Sequence, residues 1–458
     1  MGIKNRLVLM SFLQFFVWGA WLITIANYWF GTKSWDGTQF GLVFSTMGIA
    51  SLFMPTLTGI IADRWVNAEK LYGILHILYA GALFYLPMVT EPTTFIYVIL
   101  VAMCFYMPTI SLSNSISYNA LIMNKCDIVK DFPPIRVYGT VGFIVAMWIT
   151  NLTGNKATGY QFYIAGIAAL ILGIYAFTLP KSEPQRLIKE NASTMEILGL
   201  GSFRLFTNYK MALFFIFSMF LGGALQLTNA YGDVFLDEFK HFPKYANSFV
   251  VEYSTIIMSI SQVSETLFIL AIPFFLKRFG IKRVMLISMF AWVLRFGFFA
   301  YGDPAGGLWM IIMSCIVYGM AFDFFNISGS LFVETNTDSK NRSSAQGMFM
   351  MMTNGIGAIL GSFTSGWAID YFFTKSFANT IELSSFLDTE PTNPVMSDFV
   401  KNQGVQIAQN GVFSHEILMK DWHTIWLSFA LYALVIALAF GILFKHKHDP
   451  NVVEKYSH

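Results

Sequence analysis

Three pairs of polar residues recur at a spacing of three inside otherwise apolar runs: Gln226 with Asn229, Gln262 with Glu265, and Asp323 with Asn326. Residues three apart share a helix face, so each pair aims its donors and acceptors in one direction. Tyr318 and Phe322 flank the third pair and add a hydroxyl and an aromatic face. Such a set suits recognition rather than bond-making. Amides pair with a ligand's edge, carboxylates take hydroxyls and protons, and rings stack on a planar face. Amides also hold membrane helices together, at roughly 0.6 kcal/mol each, so for these residues helix packing and ligand contact both stand. A carboxylate at the centre of an apolar run costs at least about 2.5–3.5 kcal/mol to insert, which marks Glu265 and Asp323 as functional.

Arg136 follows Pro133 and Pro134, which suit a helix start, and precedes Gly139 and Gly142, which permit close helix approach. Thr140 and Phe143 lie on the same face. Arg136 reads either as a cavity residue or as an interfacial arginine reaching for headgroups. Arg295 reads as structural, and Gln14, Trp18, Asn27 and Asn354 are weaker candidates. Of seven histidines only His76 and His423 fall in apolar runs, each near one end, so a carboxylate is the expected proton carrier. Cys104, Cys126 and Cys315 have no paired spacing, and neither a metal site nor a cofactor is expected.

The elements that must position these residues are membrane spans. Hydrophobic residues make up 55% of the 458 and charged residues 12%, about half a soluble domain's share. A spanning helix takes about 20 mostly apolar residues. Twelve such runs occur, at 8–30, 41–61, 71–89, 94–119, 135–152, 159–179, 209–231, 250–275, 283–301, 307–332, 344–372 and 422–445. An even number puts both termini on one side. That side then carries 21 of the 29 basic residues and the other carries seven, so the termini are expected in the cytoplasm. The connection 181–208 divides the spans into an N-terminal set (1–180) and a C-terminal set (209–458). The connection 373–421 is the longest on the outer side. It reads as a lid or, preferably, as a tolerated insertion. A net charge of +2 implies no nucleic-acid partner.

A short pattern recurs at matching places in the two sets: Gly59, Asp63 and Arg64 after the second run, and Lys277, Arg278 and Gly280 after the eighth. This resembles the loop motif of the major facilitator superfamily, which implies an all-α membrane protein of twelve transmembrane helices in two six-helix bundles. Longer blocks are similar to the bacterial nucleoside:proton symporter family. They include Asp131-Phe-Pro-Pro-Ile-Arg-Val-Tyr-Gly-Thr-Val-Gly-Phe143, Ile257-Met-Ser-Ile-Ser-Gln-Val-Ser-Glu-Thr-Leu-Phe268 and Ala321-Phe-Asp-Phe-Phe-Asn-Ile-Ser-Gly-Ser330.

That resemblance implies nucleoside contacts at Arg136, Thr140, Phe143, Gln226, Asn229, Gln262, Glu265, Tyr318, Phe322 and Asp323. The residue carrying the proton is expected to be Asp323 or Glu265. It also implies a monomer in the bacterial inner membrane that imports nucleosides with protons. Leu225 and the long 373–421 connection depart from the family pattern. A sugar symporter is the nearest rival reading. An enzyme or receptor is disfavoured, because no metal helix, paired catalytic aspartates or signalling domain is present.

Overall fold

A computed structural model describes residues 2–126, 128–184, 200–337, 342–408 and 410–446. Most of the expected linker, 185–199, lies outside the described residues, as does the side chain of Asp63. The helical spans begin with α1 (Ile3–Gly19, carried on by turns to a π-helical segment Asn27–Thr32), α2 (Gly37–Arg64), α3 (Ala68–Tyr85), α4 (Pro92–Met123), α5 (Ile128–Leu152) and α6 (Tyr160–Ala176). The second set has α7 (Tyr209–Glu238), α8 and α9 (one run, Ser254–Tyr301, broken at Gly280), α10 (Leu308–Asn336) and α11 (342–372, with a π-helical segment Met351–Gly357). Between α11 and the last span, α14 (Trp422–Leu443), lies a small unit of β1 (Thr374–Asn379), α12 (Thr380–Phe386), α13 (Pro394–Asn402) and β2 (Val412–Lys420).

The apolar runs become helices because backbone groups in hydrocarbon must be satisfied within their own segment. Polar residues fix several starts. Asp36 accepts from the N–H of Gln39, Asn208 from Lys210 and Met211, and Asp421 from Thr424. Gly280 has φ 77°, a conformation costly for any L side chain, and there the chain reverses between α8 and α9. Several helices outrun the apolar runs, since helical hydrogen bonding continues past the hydrocarbon. As a result Pro133 and Pro134 lie inside α5, which starts at Ile128, rather than at its beginning. The outer faces are apolar. On α14, Leu431, Val435, Leu438 and Ile442 point outward at spacings of three and four, the face a lipid-exposed helix presents.

Helices α1 to α6 pack on one another, as do α7 to α11 with α14. Small residues make the seams. A Cβ on Gly142 would strike the backbone of Phe12, and one on Gly19 the backbone of Phe143, which brings α1 against α5. His76 departs from the sequence reading. It sits mid-way along α3, fully buried, with Nε2 2.9 Å from Gln14 Oε1. The same Gln14 oxygen accepts from the Tyr72 hydroxyl at 2.5 Å, and Gln14 Nε2 donates to Thr109 at 2.9 Å. This network lies inside the first set and locks α1, α3 and α4 together.

The two sets meet toward the ends that carry the 373–421 connection. Asn27 donates to Asp233 (2.5 Å), Trp148 to Ser259 (2.9 Å) and Asn151 to the carbonyl of Glu252 (2.9 Å). Lys156 pairs with Asp237 at 2.7 Å and donates to the Val251 carbonyl at 2.6 Å. The hydroxyl of Thr38 donates to Asp370 at 2.8 Å. Below these, α2 and α11 touch backbone to backbone, so that a Cβ on Gly41 would meet the Ser362 carbonyl. The halves are therefore closed on the connection side.

That connection folds rather than loops. β1 and β2 pair antiparallel, with Thr374 opposite Lys420 and Phe377 opposite Ile417. Phe377, Leu383, Met396, Val400 and Ile417 form a core of its own. This cap is fastened to the second set by Lys420–Glu238 (3.0 Å), by Trp422 Nε1 donating to Glu238 (2.6 Å), and by Lys375–Asp421 (2.7 Å). Burial pushes the Asp421 carboxyl up, but Lys375 and Thr424 outweigh it and hold the group below its ordinary range.

Replacing Gly41 by Leu inserts a side chain where two backbones touch. Overpacking costs about 1–3 kcal/mol, so the closed arrangement should weaken by about fivefold to a hundredfold. Reactivity of a cysteine placed at Ser259 toward an impermeant thiol reagent should rise accordingly. Unchanged reactivity would mean that the α2–α11 contact does not control closure.

Candidate functional site

The polar residues singled out in sequence gather at the level where the two sets face each other. α10 supplies Tyr318, Phe322, Asp323 and Asn326 from one stretch of helix. The rings of Tyr318 and Phe322 lie 6.1 Å apart and nearly parallel, at 7°, and Trp292 stands edge-on to Tyr318 at 5.9 Å. Behind Tyr318 sits Arg295, fully buried, its guanidinium 4.5 Å from the ring centre. Arg295 donates to Ser314 O (2.8 Å), Thr228 (3.2 Å) and Ser261 (3.3 Å). It thereby ties α7, α8 and α10 together from α9 and fixes the Tyr318 ring. This is the structural role expected of an arginine outside the cavity.

Asp323 is 5% exposed, and its Oδ2 has no hydrogen-bond partner. The side-chain oxygens of Gln226 and Gln262 and the indole N–H of Trp18 are also buried without partners. Buried polar groups are nearly always paired, so these four open valences mark where a ligand or water completes the structure. Thr140 and Asn229 are half-buried nearby. A small cavity of about 20 Å³ opens beside Leu225, Phe322, Asn326 and Asn354. It has room for about one water molecule.

Charge is divided between the halves. Arg136 on α5 interacts electrostatically with Glu265 on α8, and Glu265 with Asp323. Arg136 is held by stacking, its guanidinium 4.0 Å from the Phe15 ring centre. Gly139 makes this possible, because a Cβ there would strike both the Phe15 ring and the guanidinium. Phe143, 9% exposed, meets Trp18 edge to face at 6.3 Å. One cation in the first set thus acts on Glu265 in the second, and Glu265 in turn on Asp323, with aromatic rings in both sets.

Sequence reasoning missed Asp233, Asp237 and Lys156, which hold the closed end. The signal was present. Gln226, Asn229, Asp233 and Asp237 continue one helix face at spacings of three and four, but the apolar run was ended at 231 while α7 continues to Glu238. The repeated motif falls at the ends of α2 and α8. Gly59 has open space where a Cβ would lie, so no close approach demands it, and Arg278 lies against Phe279 at 5.7 Å.

Two helical sets around a central, divided polar layer define a secondary transporter of the major facilitator fold. Residues 1–387 match the model of the nucleoside H+ symporter family, and the chain belongs to that family. It is 49% identical to the xanthosine permease of Escherichia coli (strain K12) over 455 residues, covering 99% of each chain. It is 47% identical to the nucleoside permease NupG of the same organism over 461 residues, covering 100% of each. A crystal structure of a mutant of the nucleoside transporter NupG superposes with a TM-score of 0.85 at 46% identity, covering 97% of this chain and 100% of that one. The chain is a nucleoside:proton symporter and not an enzyme.

If Phe143 or Phe322 stacks on the base, replacing it by Ala should weaken nucleoside binding. Stacking is worth roughly 1–3 kcal/mol per base, so affinity should fall about fivefold to a hundredfold while membrane insertion is kept. Unaltered Kd values in both variants would return these rings to helix packing.

Proposed function

We propose that the protein carries nucleosides inward across the bacterial inner membrane together with protons, as a monomer with both termini in the cytoplasm. The charge division supports this reading most directly: Arg136 on one half acts on Glu265 on the other, Glu265 acts on Asp323, and Asp323, Gln226 and Gln262 keep buried polar atoms without partners. A nucleoside fits such a layer. Its ribose hydroxyls suit Asp323 and Glu265, its base edge suits Gln226, Asn229 and Gln262, and its base face suits Phe143, Tyr318 and Phe322. Arg136 and Thr140 add donors from the first half.

Residues 1–180 and 209–458 rock about this layer, joined by the 181–208 linker. The loop residues Gly59, Asp63, Arg64, Lys277, Arg278 and Gly280 control closure at the cytoplasmic end. With the connection side outside, the structure is in the state closed to the periplasm. A ligand bridging the halves, with a proton on one of the two carboxylates, alters the Arg136–Glu265–Asp323 balance and so biases which end opens.

Uptake of labelled uridine and adenosine into cells lacking other nucleoside carriers should collapse when a protonophore is added. Accumulation that survives the protonophore, or that requires sodium, contradicts proton symport. Competition by sugars but not nucleosides would favour the rival substrate class.

The two carboxylates should separate in reconstituted protein. Asp323→Asn keeps size and much of the hydrogen bonding but cannot titrate, so it should bind nucleoside and fail to accumulate it. Asp323→Ala should lose binding as well. Glu265→Gln should show mainly a binding defect. Concentrative uptake by Asp323→Asn at the parental level would move the coupling role to Glu265.

A further inference from the structure

A cavity far larger than the one beside Phe322 lies away from the central layer. A chamber of about 770 Å³ lies on the connection side, between the first set and the cap. That is within the range of small-molecule sites. Its floor is the closed end of the path, where Asn27 and Asp237 stand. One wall is the turn between α1 and α2, with Trp35 and Asp36, and the opposite wall is the cap, with Phe399, Asp398 and Glu416.

Two observations mark the chamber as built for a ligand. Asn27, 1% exposed, spends its amide N–H on Asp233 and leaves Oδ1 without a partner at the chamber floor. The carboxylates are also unequally committed. Asp237 is held by Lys156 and Lys240, and Glu238 by Lys420, so these five charges are consumed in holding the structure. Among the described residues Asp36, Asp398 and Glu416 carry no ion pair. The chamber therefore offers free acceptors and aromatic rings, while its lysines are already engaged. An anionic ligand is disfavoured there, and a neutral molecule with hydroxyls, N–H donors and a flat face is suited.

We propose that this chamber is a second, outer nucleoside site, which holds a nucleoside above the closed gate and rejects nucleotides by charge. The inference rests on the nucleoside reading of the central layer. Ribose hydroxyls donate to Asp36 or Asp398, a base N–H donates to Asn27 Oδ1, and Trp35 or Phe399 covers the base. The two walls belong to different halves, because the cap is fastened to α7 and α14 while Asn27 and Trp35 belong to the first set. Opening of this end pulls the walls apart, breaks Asn27–Asp233 and Lys156–Asp237, and releases the ligand toward the centre.

Photolabelling with azidoadenosine of the full-length protein in liposomes, with labelled peptides mapped by mass spectrometry, tests this. Label is expected within 395–420 and 27–36 as well as on α5 and α10. Asp323→Ala should reduce the central label and spare the outer one. Asn27→Leu combined with Phe399→Ala should reduce the outer label by about fivefold or more and spare the central one, as expected for loss of one stacking contact. Excess adenosine should displace both labels, whereas adenosine monophosphate should displace neither. Label confined to the central helices overturns the outer site and leaves the central reading intact. Equal displacement by the monophosphate overturns the charge filter. Absence of any label removes the nucleoside reading, and the outer site with it.

Discussion

A carboxylate enclosed by lipid-facing helices must be given a partner, and the arrangement of this protein follows from how its buried carboxylates are partnered. Asp237 is enclosed by two lysines, Asp233 shares an amide and a hydroxyl, and Asp370 is held by Thr38. Each of these carboxylates has at least one partner in the opposite half, Lys156, Asn27 or Thr38, so satisfying the charge closes one end. Asp323 and Glu265 are treated differently. Asp323 answers to Glu265 and Glu265 to Arg136, with no contact ion pair at either carboxylate among the described residues. Unpaired charge at the centre is costly to bury, and that cost gives a ligand or a proton leverage over the conformation.

Leverage requires rigid bodies to act upon. Within the first set, Gln14 gathers Tyr72, His76 and Thr109 into one buried network, and glycine seams at Gly19 and Gly142 bring α1 onto α5. Within the second, Arg295 spans three helices behind Tyr318. Such fully bonded interiors hold the site side chains in place. The contacts between the halves combine exchangeable polar pairs, such as Asn27–Asp233 and Lys156–Asp237, with the close backbone approach of α2 to α11. The cap extends the second body outward and turns the closed end into a walled chamber. Lys420 is central to that wall, being bonded to Glu238 within its own half while its ammonium lies 3.8 Å from the centre of Phe30 in the other.

The sequence by itself determined the spans, their pairing into two sets and the polar residues of α7, α8 and α10. These are local properties: the length of an apolar run, a spacing of three, the cost of a charge in hydrocarbon. It determined the family as well, through contiguous blocks around Arg136, Glu265 and Asp323. It misplaced His76, and it ended the polar face of α7 too early, because hydropathy marks where apolar residues stop and not where a helix does. Tertiary structure alone decided which carboxylates are spent on closure and which stay open, since Asp233 and Asp323 look alike along the chain. It also decided that 373–421 folds into a cap with its own core and encloses a chamber. The residues of that chamber lie more than 350 positions apart, from Asn27 to Glu416, and no local pattern records that they meet. Partners in a buried polar contact are chosen by the packing of whole helices, and that packing exists only once the chain has folded.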